Sequence, residues 1–271
     1  MRKLLIILLL PFLLSWQVKP PLGRQINFSQ PLSKGLVGCW LMNEGSGSTV
    51  NDLSGNGNHV DWVGTPIYVP GKFGPACDFP STGNSEYLTK APSVGWGDGS
   101  EGTIVIYFKI DSAVNYGSPF CTKVGVDDVI NIWLYSTPYI RIDHFNTEGS
   151  DWADFSWAGI TTDTWYHFVY RWANDLAEIY INGALAASES SFSGTPRISS
   201  TIYIGSNRGD ASRGLDGQID HLLAFNRAVT TSEIIQLYRE PFCILYPSFS
   251  YLLYGGIAVP SGGQVIIVNV N

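Results

Sequence analysis

The sequence predicts an all-β protein, two antiparallel sheets packed face to face, with one short helix toward the C-terminus. Three observations carry that expectation. Short apolar stretches with strict alternation recur along the chain, as at 103–110, where Ile104, Ile106, Phe108 and Ile110 share one face. Turn residues separate these stretches, in keeping with 29 Gly and 15 Pro. Helical spacing occurs at 230–238 alone, so no helices alternate with strands and a parallel α/β fold is excluded.

The elements follow in chain order. Arg2-Lys3 precedes an apolar run at 4–14, interrupted by Pro11. A positive start and a short apolar core suit a secretory signal and fall short of a stable membrane span. No small-x-small cleavage site follows, so residues 1–19 read as a signal, an uncleaved anchor or an over-extended translation start. Residues 20–34, beginning Pro20-Pro21-Leu22-Gly23, read as an extended linker. The folded domain is expected over 35–240, and 241–271 as an irregular extension with a strand-like end at 264–270.

Within the domain the first strand is expected at 35–42 and another at 103–110. Strands at 131–135 and 139–145 flank Ser136-Thr137-Pro138 as a hairpin. A second hairpin joins 165–172 to 177–181, and Asn182-Gly183 then supplies the left-handed positions of a tight turn before 184–187. Stretches 202–205 and 218–225 complete the set. The helix at 230–238 begins with a capping box, Thr230 with Glu233, and offers Ile234, Ile235, Leu237 and Tyr238 for packing.

At 271 residues the chain can bury a full core as one β-domain. A net charge of −7 without a basic block argues against a nucleic-acid partner. Cys39, Cys77, Cys121 and Cys243 are widely spaced and form no CxxC pair, so they read as buried thiols or, in an exported chain, as one or two disulfides. His59, His144, His167 and His221 show no metal-ligand spacing. Arg208-Gly209-Asp210 reads as a turn rather than a recognition tripeptide.

Several phrases together carry a family resemblance. The opening Gly35-Leu36-Val37-Gly38-Cys39-Trp40 with Asn43-Glu44-Gly45, the turn Asp52-Leu53-Ser54-Gly55-Asn56-Gly57-Asn58, the pair Trp165-Tyr166-His167-Phe168 and Ile179-Tyr180-Ile181-Asn182-Gly183, and the closing Gly217-Gln218-Ile219-Asp220 with Asn226-Arg227-Ala228 stand in order over 35–240. As a set they resemble laminin-G-like domains of the concanavalin A-like lectin/glucanase jelly rolls. The resemblance implies a two-sheet jelly-roll sandwich and places the 51–58 loop beside the closing strand. The combination of Pro20-Pro21-Leu22-Gly23, Gly35-Leu36-Val37-Gly38-Cys39-Trp40 and Tyr238-Arg239-Glu240-Pro241-Phe242 also resembles virion-associated proteins of tailed phages. That narrower likeness implies an extracellular or virion-surface setting, adhesion to glycans, and other virion or surface proteins as partners.

Two candidate sites follow. Calcium takes six to eight hard oxygen ligands, and the 51–58 loop is rich in them. The candidate ligands are Asp52, Asn56 and Asn58, joined by Asp220 from the closing strand, with Glu44 either contributing or pinning the turn. Such an ion would be structural; the competing reading is an Asx-turn that satisfies its own backbone. The second site is a polar-aromatic face for a glycan, where rings cover sugar C–H groups and polar groups orient hydroxyls. Alternation sends Asn131, Trp133 and Tyr135 away from Ile130, Ile132 and Leu134, and Tyr139, Arg141, His144 and Trp152 extend the set. Ordinary packing of a second sheet is the alternative, and Trp40, Trp165 and Phe168 are expected in the core.

Reaction chemistry is not evident. Glu178 stands alone in its strand, and there is no E-x-D-x-E strand, G-x-S-x-G elbow, Walker loop or H-E-x-x-H helix. The expectation is a non-catalytic carbohydrate-binding or adhesion module. Structural decoration or protein docking without sugar binding is the alternative, and a glycoside hydrolase is the remoter one.

Overall fold

The computed structural model of the protein describes residues 18–80, 86–96, 99–113, 116–124, 127–136, 138–145, 151–173, 175–190, 201–246, 251–254 and 257–260. In chain order the first strands are β1 Leu36–Trp40, β2 Thr49–Val50, β3 Val60–Val63, β4 Tyr68–Pro70, β5 Pro75–Phe79, β6 Tyr87–Lys90, β7 Glu101–Ile110 and β8 Gly117–Val124. Then come β9 Asp127–Ser136, β10 Tyr139–Phe145, β11 Asp151–Ala158, β12 Tyr166–Ala173, β13 Leu176–Ile181, β14 Ala184–Ser190, β15 Thr201–Ile204, β16 Gly217–Phe225 and the helix α1 Thr231–Arg239.

These strands form two eight-stranded antiparallel sheets. The first runs β14-β13-β12-β7-β16-β5-β4, with β1 pairing the stretch of β16 that β5 leaves open. The second runs β11-β10-β9-β8-β15-β6-β3-β2. The sandwich expected from the alternating stretches is therefore present. Ile104, Ile106 and Phe108 of β7 and Phe168 and Tyr170 of β12 face Phe120, Ile132, Leu134, Ile140 and Ile142 of the second sheet in one buried core.

Local chemistry explains the turns and close approaches. Asn182 and Gly183 adopt φ of 51° and 80°, the left-handed pair that the β13–β14 turn requires. Trp40 is fully buried and donates its Nε1–H to the Asn58 carbonyl at 2.8 Å. Gly38 makes room for it, since a Cβ there would stand 2.1 Å from the indole.

A second apolar layer covers the outer face of the first sheet. Val105, Val169, Leu223 and Phe225 project from that face onto Ile234 and Leu237 of α1. Ile26 and Leu32 pack there with Phe242, Cys243, Ile244 and Leu245, and Ile26 bridges to Leu245. The stretch expected as a linker and the start of the expected irregular extension are thus part of the packed domain, because the outer face of the first sheet is itself apolar and needs cover. Further on, Tyr251–Tyr254 pairs with Ile257–Pro260 as a hairpin. The apolar run 4–14 and the stretch 264–270 lie outside the described residues. Among the described residues no helix is long and apolar enough to cross a membrane.

All four cysteines are buried free thiols. Burial raises the pKa of Cys39, Cys77 and Cys243, that of Cys243 to about 12, which keeps those three in the unreactive protonated form.

Candidate functional site

Helix α1 and the flanking segments clothe one side of the sandwich, whereas the outer face of the second sheet carries its polar and aromatic residues into solvent. On β9 Trp133 and Tyr135 alternate with the inward residues as the sequence implies, whereas Asn131 is buried, its Oδ1 accepting from the Ser118 hydroxyl at 3.2 Å. Ile130, Ile132 and Leu134 are buried, Trp133 is half-buried and Tyr135 is 45 % exposed. On β10, Ile140, Ile142 and His144 point inward while Tyr139, Arg141 and Asp143 point outward.

The antiparallel register assembles a compact group there. Arg141 pairs with Trp133 across to β9, and Asp143 pairs with Asp154 across to β11. The Arg141 guanidinium lies 5.8 Å from the Trp133 ring and 5.5 Å from the Tyr135 ring. Its Nε donates to Asp143 Oδ1 at 2.7 Å and its Nη2 to Asp154 Oδ2 at 2.6 Å. Tyr116, just before β8, stacks on Trp133 at 5.4 Å and 21° and meets Tyr135 edge-on at 5.8 Å. Trp133 and Tyr135 are themselves perpendicular, at 5.4 Å. Such ring geometries stabilise an exposed cluster beyond its burial.

Four of the six predicted platform residues, Trp133, Tyr135, Tyr139 and Arg141, thus share this face. His144 does not. Its ring is fully buried, with Nδ1 2.8 Å from the Tyr170 hydroxyl and the ring perpendicular to that of Trp172 at 5.1 Å. Burial lowers its pKa to about 3, so the ring is a neutral core residue. Trp152 lies on β11, but its side chain is outside the described residues. Tyr116, Asp143 and Asp154 complete the group without having been expected. Asp143 follows Arg141 at the two-residue spacing of one strand face, a signal present in the sequence; Tyr116 and Asp154 enter only through register. Of the other aromatics, Trp62 stacks on Phe79 at 5.2 Å and Trp96 is buried, so both are core.

The loop expected to hold calcium is closed on itself. Asp52 Oδ1 accepts from Cys39 N at 2.9 Å and Ser54 N at 2.8 Å, and Oδ2 accepts from Asn58 N at 2.9 Å beside the Ser54 hydroxyl at 2.8 Å. Asn58 gives its amide hydrogens to Val37 O and Val94 O, both at 2.8 Å, and accepts from Val94 N at 2.9 Å. Asn56 Nδ2 donates to Leu36 O at 3.1 Å. Glu44 Oε1 accepts from Asn51 N at 2.9 Å and pins the turn.

Asp220 has other partners altogether. Lys19 Nζ stands 3.0 Å from its Oδ1, His221 Nδ1 lies 3.0 Å from the same oxygen, and Phe73 N donates to Oδ2 at 3.0 Å. Asp52, Asn56, Asn58 and Asp220 therefore do not form one oxygen cage, and their donor-filled carboxylates do not fit a calcium site. Burial raises the Asp220 pKa, but the His221 hydrogen bond, Lys19 and the Phe73 N–H outweigh it and hold the carboxyl below its ordinary value. Lys19 also donates to the carbonyls of Pro75 and, at 2.7 Å, Asp220.

Beside that pair sits a buried ring cluster, with Tyr107 4.6 Å from His221 and 4.8 Å from His167. Neither nitrogen of His167 has a hydrogen-bond partner among the described residues. Burial, helped by His221, lowers its pKa to about 3. His167 is a fully buried core ring. Glu178, the lone acid of its strand, is held by Arg171 through Nε at 2.7 Å and through Nη2.

Solved structures with this fold include the binding domain of Paraclostridial Mosquitocidal Protein 1, at 19 % identity and a TM-score of 0.61, covering 78 % of this chain and 53 % of that one. The binding domain of botulinum neurotoxin DC, solved in complex with rat synaptotagmin II and with SialylT, matches at 15 and 16 % identity and a TM-score of 0.60, covering 76 % of this chain and 52 % of that domain. Trypanosoma rangeli sialidase in complex with sialic acid matches at 19 % identity and a TM-score of 0.58, covering 78 % of this chain and 33 % of the enzyme. The chain thus spans about half of the toxin domains and a third of the sialidase. No curated protein matches it by sequence. The profile of the concanavalin A-like lectin/glucanases superfamily, in its Laminin_G_3 form, matches residues 82–235. That stretch is more than half of the chain and holds β6 to β16 with most of α1, so the protein belongs to the concanavalin A-like lectin/glucanase superfamily.

Proposed function

We propose that the protein is a non-catalytic carbohydrate-binding module whose ligand seats on the outer face of the second sheet, against Tyr116, Trp133, Tyr135 and Arg141. The observation that carries this reading is the mutually braced group of rings and guanidinium on a face that the packed α1 layer leaves uncovered. Exposed aromatic faces cover sugar C–H groups, and the exposed Asp154 carboxylate beside them offers acceptors that fix hydroxyls. The toxin binding domain solved with SialylT supports the reading by analogy of fold. A displayed, extracellular or particle-surface location and an adhesive role accord with it.

Binding rather than cleavage is favoured by the two outward carboxylates. A glycoside hydrolase needs one carboxyl group kept protonated as general acid. Asp143 and Asp154 are instead both engaged by one guanidinium, at 2.7 and 2.6 Å, as partners in one ion-pair group.

The test is a glycan-array screen of the full chain, followed by Tyr135→Ala. Saturable binding to a sugar class is expected, weakened about tenfold by the substitution with the melting temperature little changed. A folded protein that binds no sugar, or a Tyr135→Ala variant that binds as before, would move the face to a protein-docking role.

A further inference from the structure

We infer that this face, taken as the glycan site proposed above, selects uncharged sugars over acidic ones, and that Tyr116 is one of its contact rings. The selectivity follows from what Arg141 already holds. A sialic or uronic acid is captured by a guanidinium whose N–H fork is free to take the carboxylate. Here the fork is occupied, with Nε on Asp143 at 2.7 Å and Nη2 on Asp154 at 2.6 Å, while the guanidinium lies over Trp133 and Tyr135. One positive charge therefore stands against two negative ones in the group. The other cations on the strands of this sheet, Lys90 and Lys123, lie level with Ile202 and Thr201, and the backbone register sets Lys123 opposite Asp128, at the far end of β9 from Trp133. The chain as a whole carries −7. A neutral pyranose meets no such penalty, and the exposed Asp154 carboxylate keeps lone pairs that can accept its hydroxyl hydrogens.

Tyr116 is singled out by its backbone. Its φ of 70° lies in the left-handed region that glycine favours and a bulky aromatic residue rarely enters. Its N–H donates to Leu134 O at 2.6 Å, which pins the residue beside β9. The outcome is a ring 45 % exposed, stacked on Trp133 and perpendicular to Tyr135. Trp133, between Tyr116 and Arg141, is the brace; Tyr116 and Tyr135 are the rings a sugar can reach.

The experiment uses the full chain on an array of matched glycans, each neutral oligosaccharide printed beside its sialylated or uronate counterpart. It is repeated with Tyr116→Gly and Asp154→Asn. The neutral member of a bound pair is expected to win by about fivefold. Asp154→Asn should narrow that gap by about two- to fivefold. Tyr116→Gly relieves the left-handed strain, which offsets the lost ring contacts, so it should melt close to the parent chain and yet bind about tenfold more weakly. Acidic members bound as well as or better than neutral ones would overturn the selectivity while leaving glycan binding in place. Unchanged affinity in Tyr116→Gly would remove that ring from the contact set. A folded protein that binds neither member of any pair would sink the glycan reading itself, and this inference with it.

Discussion

Lys19 and Asp220 show how much one residue pair decides. Both side chains are withdrawn from water, at 1 % and 0 % exposure, and their charged atoms are 3.0 Å apart. Such a pair contributes modestly to net stability, yet breaking it leaves an uncompensated buried charge. Lys19→Ala is therefore expected to cost about 3–5 kcal/mol, read as a lower midpoint in urea unfolding, and to cost the same in calcium as in chelator. The linkage has a definite sign. With its pKa depressed by the fold, Asp220 adds stability that is complete above its unfolded value of about 3.9 and fades as pH falls below it. None of this was legible in the sequence. The partners are 201 positions apart, and Lys19 closes the segment that reads as a signal or anchor, just before the proline-rich linker.

At the scale of elements, α1 was the most legible part. Its capping box forms as read, with Glu233 N to Thr230 Oγ1 at 3.2 Å and Thr230 N to Glu233 Oε2 at 2.7 Å. Arg227 holds the same Glu233 at 2.7 and 2.9 Å, tying the turn after β16 to the helix start. Thr230→Ala removes one half of the box and is expected to lower stability by about 1 kcal/mol, measured by thermal melting. The strands divide by the strength of their alternation. Those at 103–110, 139–145 and 218–225 stand within one or two residues of their expected limits, because β-branched and aromatic residues alternate there. Strand β11, D-W-A-D-F-S-W-A, and strand β8, with Pro119 inside it, were not expected. Their propensities are weak, and pairing with β10 and β9 supplies what local preference does not. The site suffered from the same limit. Arg141, Trp133 and Tyr135 could be placed on one face from alternation, but Asp154 and Tyr116 arrive through cross-strand register, and His144 followed the wrong parity. On β10 it shares its phase with Ile140 and Ile142, and that apolar pair already marks it as inward.

For the whole molecule, buried neutral histidines make acid the weak direction. His144 in the main core and His167 under the outer layer both have pKa values lowered to about 3 by burial. Between that value and the unfolded 6.5 the unfolded chain binds more protons, so stability falls as pH falls through this window. At pH 5 the loss is roughly 2 kcal/mol per ring. The melting temperature should drop between pH 7 and pH 5, and the double variant His144→Gln, His167→Gln should flatten that slope whatever it does to the absolute value. An equal slope in the variant would place the acid sensitivity elsewhere.

The bridge from Ile26 to Leu245 has a further consequence, one of orientation. It brings the incoming and outgoing stretches of the chain together over the outer face of the first sheet, with Lys19 plugged into β16 and β5 close by. Tyr116, Trp133 and Tyr135 stand on the opposite side of the sandwich. A tether joined beside Ile26 or Leu245 would therefore meet the sandwich on the side away from those rings, and would leave them facing outward.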